Sequence, residues 1–160
     1  MQYQLLNQCD LCEQEDLLET LDKTLIDGMN LSITHNNNFI VKDIHYYIRY
    51  FQMRRQQYLL LTHMQKYFDT VFVTPDMVKP LSEFTGRLSR ELNEHNVGED
   101  LLEETKRMLD YYRKEDLPKT RYEFEHRAVL FLYLNDMIHF VEIKINFMKK
   151  YGGIRYYGER

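Results

Sequence analysis

Leu117-Pro118-Lys119-Thr120-Arg121-Tyr122-Glu123-Phe124-Glu125-His126-Arg127-Ala128-Val129-Leu130-Phe131 is the start of a long helix. Thr120 and Glu123 have capping-box spacing, in which hydroxyl and carboxylate satisfy the amides orphaned at a helix start. Pro118 stops anything helical from running in. Behind the cap, Phe124, Arg127, Phe131, Leu134, Ile138, Val141, Ile145 and Met148 recur every three or four residues, which predicts one buried stripe. The other helices are expected to pack on it.

Working back along the chain, residues 3–27 predict a first helix with Leu5, Cys9, Cys12, Leu18, Leu21, Leu25 and Met29 on its apolar side and Gly28 as its cap. Residues 30–39 read as a loop, because Asn36-Asn37-Asn38 bond their own backbone in turns. A second helix is expected over 42–72, with Tyr47, Phe51, Arg54, Tyr58, Leu61, Phe68 and Phe72 on one face. Thr74-Pro75-Asp76 restarts a helix that carries Met77, Leu81, Phe84, Leu88 and Leu92 and ends at Asn96-Val97-Gly98. A fourth runs over 99–114 and is expected to bury Leu101 or Leu102, Thr105, Met108, Leu109 and Tyr112, and Gly152-Gly153 closes the fifth.

Scarce glycine (6) and proline (3) suit this all-α reading. Short connections make long helices antiparallel neighbours, so an up-and-down antiparallel bundle of four to five helices is expected, with the third and fourth the short pair. Residues 1–150 form a single helical-bundle domain in this reading, and 151–160 a flexible tail.

A net charge of −4 gives no general attraction to phosphate backbones, so nucleic acid is not an expected partner. The acids concentrate early: Asp10, Glu13, Glu15, Asp16, Glu19, Asp22 and Asp27 face only Lys23. With no apolar run long enough for a bilayer span and no signal peptide, the chain taken alone reads as soluble and cytoplasmic.

The run 117–136, together with Arg49-Tyr50-Phe51-Gln52-Met53-Arg54-Arg55-Gln56, resembles the C-terminal domain of the putative aromatic acid exporter family of bacteria. The similarity spans about residues 43–150 and includes the spacing between the two motifs. It implies a helical domain that follows several transmembrane segments. The full-length protein would then lie in the cell membrane with this domain on the cytoplasmic side. Its implied partners are its own upstream transmembrane domain and, as a homo-oligomer, further copies of itself. The resemblance carries no catalytic motif.

The residues themselves offer little catalytic chemistry. Cys9-Asp-Leu-Cys12 is half of a structural zinc site without a second half, and both thiols fall on an apolar stripe. Glu123-x-x-His126 and Asp136-x-x-His139 mimic the units of di-iron bundles, but on one helix they stand about 220° apart and cannot share a site. No nucleophile set or phosphate loop is present, and no cofactor is expected.

The candidate polar cluster is Arg49, Tyr50, Arg54 and Arg55 against Tyr122, Glu123, Glu125 and Arg127. Arg54 and Arg127 lie within apolar stripes, where each needs a carboxylate, so Arg54 is expected to pair with Glu123 or Glu125 and lock two helices in register. The same guanidinium and rings would also suit a small aromatic acid, which needs a cation for its charge and a ring for its face. Accessory domain of an exporter, aromatic carboxylate sensor and free-standing helical adaptor are thus the functions to separate.

Overall fold

The computed structural model describes residues 11–38, 42–67, 75–93 and 96–152. Five α-helices make it up: α1 (Leu11–Asn38), α2 (Lys42–Gln65), α3 (Pro75–Glu91), α4 (Glu99–Lys114) and α5 (Arg121–Tyr151). The long members are α1, α2 and α5, with 28, 24 and 31 residues against 17 and 16 for α3 and α4. The bundle is held by α1 on α2, α2 on α5 and α4 on α5. The hydroxyl half of the capping box closes as expected, the Glu123 amide donating to Thr120 Oγ1 at 3.1 Å, whereas Glu123 Oε2 reaches one residue past the cap and accepts from the Lys119 amide at 2.6 Å.

The main core joins α3, α4 and α5 to the end of α2. Met64, Leu81, Leu101, Leu134, Met137 and Val141 are sealed at its centre, and each such side chain contributes about 1.5–3 kcal/mol on leaving water. A smaller cluster of Tyr46, Met53 and Phe147 sits toward the other end of α2. Of the face expected for α3, Leu81, Phe84 and Leu88 are buried and Leu92 is half-buried, while the Met77 side chain lies outside the described residues; of that expected for α4, Leu101, Thr105, Leu109 and Tyr112 are buried and Met108 is half-buried.

Three expectations are corrected. The first helix does not stop at Gly28, and residues 30–38 are not a loop. α1 runs on to Asn38, with Ser32 and Thr34 hydroxyls bonding back to the carbonyls of Gly28 and Asn30 at 2.8 and 2.9 Å. Packing against α2 overrides the turn preference of its polar residues. Gly28 is there for space: a Cβ would overlap Cε1 and Cζ of Phe51 on α2. The second helix ends at Gln65, where the amides of Lys66 and Tyr67 turn back to His63 and Met64. Residues 68–72 lie outside the described residues.

The third correction concerns phase. On α5 the buried residues are Leu130, Tyr133, Leu134, Met137, Phe140, Val141, Lys144, Ile145 and Phe147, a face centred about 80° round from the expected stripe. Phe124 is 63% exposed. On α2 the buried positions are Tyr46, Met53, Gln57 and Met64, whereas Tyr47 is largely exposed. Helices that pack against neighbours on more than one side are apolar nearly all round, so period alone does not select the deepest face. The tail over 153–160 and Cys9 lie outside the described residues.

Candidate functional site

The register of α2 against α5 decides the fate of the expected cluster. The rings of Tyr46 and Phe147 meet with centroids 5.3 Å apart, Gln57 Nε2 donates to the Phe140 carbonyl at 2.9 Å, and the Tyr67 hydroxyl donates to Asp136 Oδ2 at 2.7 Å. Rising numbers on one helix meet falling numbers on the other, so the pair is antiparallel. Arg54 therefore lies level with about residue 143, some 18–20 residues along α5 from Glu125 and Glu123, or roughly 27–30 Å. The expected lock between Arg54 and these carboxylates does not form.

Arg54 is instead held within α2. Its Nε donates to the Tyr50 hydroxyl and its Nη1 to Gln57 Oε1, both at 3.0 Å, and the guanidinium carbon lies 5.1 Å from the Tyr50 ring centroid. Tyr50 in turn packs edge-on against Phe147 and Phe51. Gln57, buried, passes the contact on to the α5 backbone. The result is a half-buried cation with neutral oxygen acceptors beside a nest of aromatic rings. Arg49, one turn earlier, bonds Gln52 at 3.0 Å, and Arg55 is exposed.

The other half of the expected cluster builds the α4–α5 turn. Glu123 belongs to the cap, and Glu125 pairs with Arg121 at 2.7 Å on the exposed side. Tyr122 is 51% exposed and lies against the His126 ring, whose Nδ1 donates to the Tyr122 carbonyl. Arg127 meets a carboxylate just past the end of α4: its guanidinium donates to the carbonyls of Glu115 and Asp116, with Glu115 Oε2 4.0 Å away. It pins the end of α4 to the start of α5.

Several polar contacts were not anticipated. Asp136 Oδ2 accepts from Tyr67 and lies 3.1 Å from His63 Nδ1, tying α2 to α5. Tyr133 and Thr85 share a buried hydroxyl contact of 3.0 Å between α5 and α3. Lys144, only 1% exposed, sends its ammonium to the Asn93 carbonyl beyond α3, and Arg87 on α3 bridges to Glu104 on α4. The only sequence signal for Gln57 and Lys144 was a polar residue one turn from buried ones. Among the described residues no three His, Cys, Asp or Glu side chains converge as metal ligands would, and no helix is long and apolar enough to cross a membrane.

Comparison with known proteins places this arrangement. The structure is similar to that of a putative membrane protein from Clostridium difficile 630, with a TM-score of 0.80 over 92% of this chain and 85% of that one at 24% identity, a likeness of fold. In sequence the chain is 28% identical over 123 residues to the uncharacterized protein YqjA of Bacillus subtilis (strain 168), covering 77% of this chain and 38% of that protein's length. The family described as "Putative aromatic acid exporter C-terminal domain" matches residues 1–145, and the chain belongs to that family.

Proposed function

We propose that this chain is the non-enzymatic cytoplasmic accessory domain of an exporter, acting in assembly or regulation of the membrane part. The observation that carries this reading is the family match over residues 1–145. It is supported by the structural use of the polar groups where helices meet: Gln57, Asp136, Arg127 and Arg87 each tie one segment of the bundle to another. Fusion of a fluorescent protein and, separately, of alkaline phosphatase to the end of the full-length exporter tests the side. Fluorescence without phosphatase activity is expected; the reverse pattern would place the domain outside and end this reading.

A second reading rests on Arg54. Its charge meets only neutral acceptors among the described residues, beside the rings of Tyr50 and Phe147, an environment suited to an aromatic carboxylate. Tyr122 has no part in such a site, since it stands at the far end of α5. A panel of benzoate-like acids in a thermal shift assay decides: a ligand at 100 times its Kd stabilises by roughly 2.7 kcal/mol. Arg54→Gln should remove the shift, and a shift that survives the substitution counts against Arg54.

A further inference from the structure

One apolar row of α1 stays exposed on either side of Gly28, the position where Phe51 of α2 packs against it. On α1, Leu17, Leu21, Thr24, Gly28 and Leu31 follow the four-and-three spacing of a helix–helix seam, and fall within about 80° of one another around the axis. Leu17 is 63% and Leu31 61% exposed, Leu21 is 37% exposed, and Thr24 is exposed between them. The neighbouring side of α1, carrying Leu25, is the one turned inward. A row of this width has the anchor spacing by which one amphipathic helix lies against another.

Charge selects the occupant. Exposed Asp16 and Asp27 follow the leucine row on the solvent side, with Glu15 and Glu19 also exposed on the same helix. The single base, Lys23, is engaged by Glu19 at 2.6 Å. An anionic lipid surface would be repelled by these carboxylates, and a second copy of α1 would set acid against acid. A helix with an apolar stripe edged by Lys and Arg meets both features. Membrane proteins concentrate Lys and Arg in the cytoplasmic segments next to their spans.

We propose that the leucine row of α1 docks a basic amphipathic helix, and that its occupant is a Lys/Arg-rich cytoplasmic segment of the exporter's membrane part. This occupant rests on the accessory-domain reading above; the chemistry of the surface does not.

A fluorescently labelled amphipathic peptide of leucine and lysine, titrated by anisotropy into the 160-residue chain, tests the surface. Binding should weaken at least tenfold for Leu17→Glu combined with Leu31→Glu, both outward positions whose helicity circular dichroism can check. It should weaken at least tenfold for the same peptide with glutamate replacing lysine, and fall with added salt. Leu132→Glu, an outward change on α5, should leave it unchanged. Equal binding to the double variant overturns the proposal. So does a concentration-dependent dimer in sedimentation that the double variant abolishes, which would make the occupant a second copy, or binding to anionic vesicles, which would make it lipid. The occupant is tested in the full-length exporter carrying Cys9→Ser and Cys12→Ser, by disulfide trapping between Leu21→Cys and cysteines placed in its basic cytoplasmic segments. Peptide binding without trapping removes that occupant and keeps the surface. The fusion experiment reports the side of the membrane independently, so failure of the accessory reading and failure of the α1 surface give different patterns.

Discussion

Gly28 on α1 and Phe51 on α2 stand in direct contact, with the ring occupying the space a side chain at residue 28 would need. This gives Gly28→Ala a diagnostic sign. In an exposed helix interior the change should stabilise by about 0.5–1 kcal/mol. Here the ring must move, and overpacking costs about 1–3 kcal/mol, so net destabilisation by about 1–2 kcal/mol is expected in urea unfolding. In a Phe51→Leu background the same change should become neutral or stabilising. A stabilising Gly28→Ala in the unmodified chain would show that the two helices are not in this contact.

Gln57 is the hinge pin between Arg54 and the α5 backbone. Gln57→Ala removes two hydrogen bonds at a buried site and leaves a cavity, a loss of about 2–4 kcal/mol. Because Arg54 shares one of those bonds, the pair Gln57→Ala and Arg54→Ala should be non-additive in a double-mutant cycle. Strict additivity would mean that the two side chains do not act together.

Alkaline pH should loosen the bundle. Burial, then the Asp136 carboxylate, pushes the Tyr67 hydroxyl up to about 12, and burial, with smaller effects from Tyr111 and Glu115, pushes Tyr112 up to about 12. Burial also raises Tyr133, against a lowering by its Thr85 contact. A hydroxyl raised in the folded state contributes stability that is whole below the unfolded value of about 10 and is lost as pH rises through the folded value. Tyrosinate absorbance should therefore lag in these residues and appear together with unfolding above about pH 10. Asp136→Asn should lower the Tyr67 value, since the charge that opposes its ionisation is gone.

Lys144 presents a cation inside the core. Lys144→Ala removes both its stem and its bond to the Asn93 carbonyl, and should cost about 2–4 kcal/mol. Lys144→Met keeps most of the packing and no longer requires a charge to be desolvated, so it should cost less. Equal losses in the two variants would mean that the stem packing contributes nothing.

The cap of α5 offers a smaller test. Thr120→Ala should lower stability by about 1 kcal/mol, read from chemical unfolding, while Arg127→Ala should cost more, because it frees two carbonyls at the α4–α5 turn.

The chain's own order of residues was enough to determine an all-helical bundle, the start of α5 at Thr120, and the buried faces of α3 and α4, because capping and a single-sided apolar period are local properties. The motifs around Arg54 and Glu123 were also enough to indicate the family. Only the tertiary structure decided how far α1 runs, which faces of α2 and α5 lie deepest, and whom Arg54 and Arg127 meet. Turn-forming asparagines can be carried into a helix by its neighbour, and a helix packed on more than one side has no single phase to read. Partners across helices depend on register, and a displacement of roughly 27 Å along α5 separates residues that their chemistry alone would have joined.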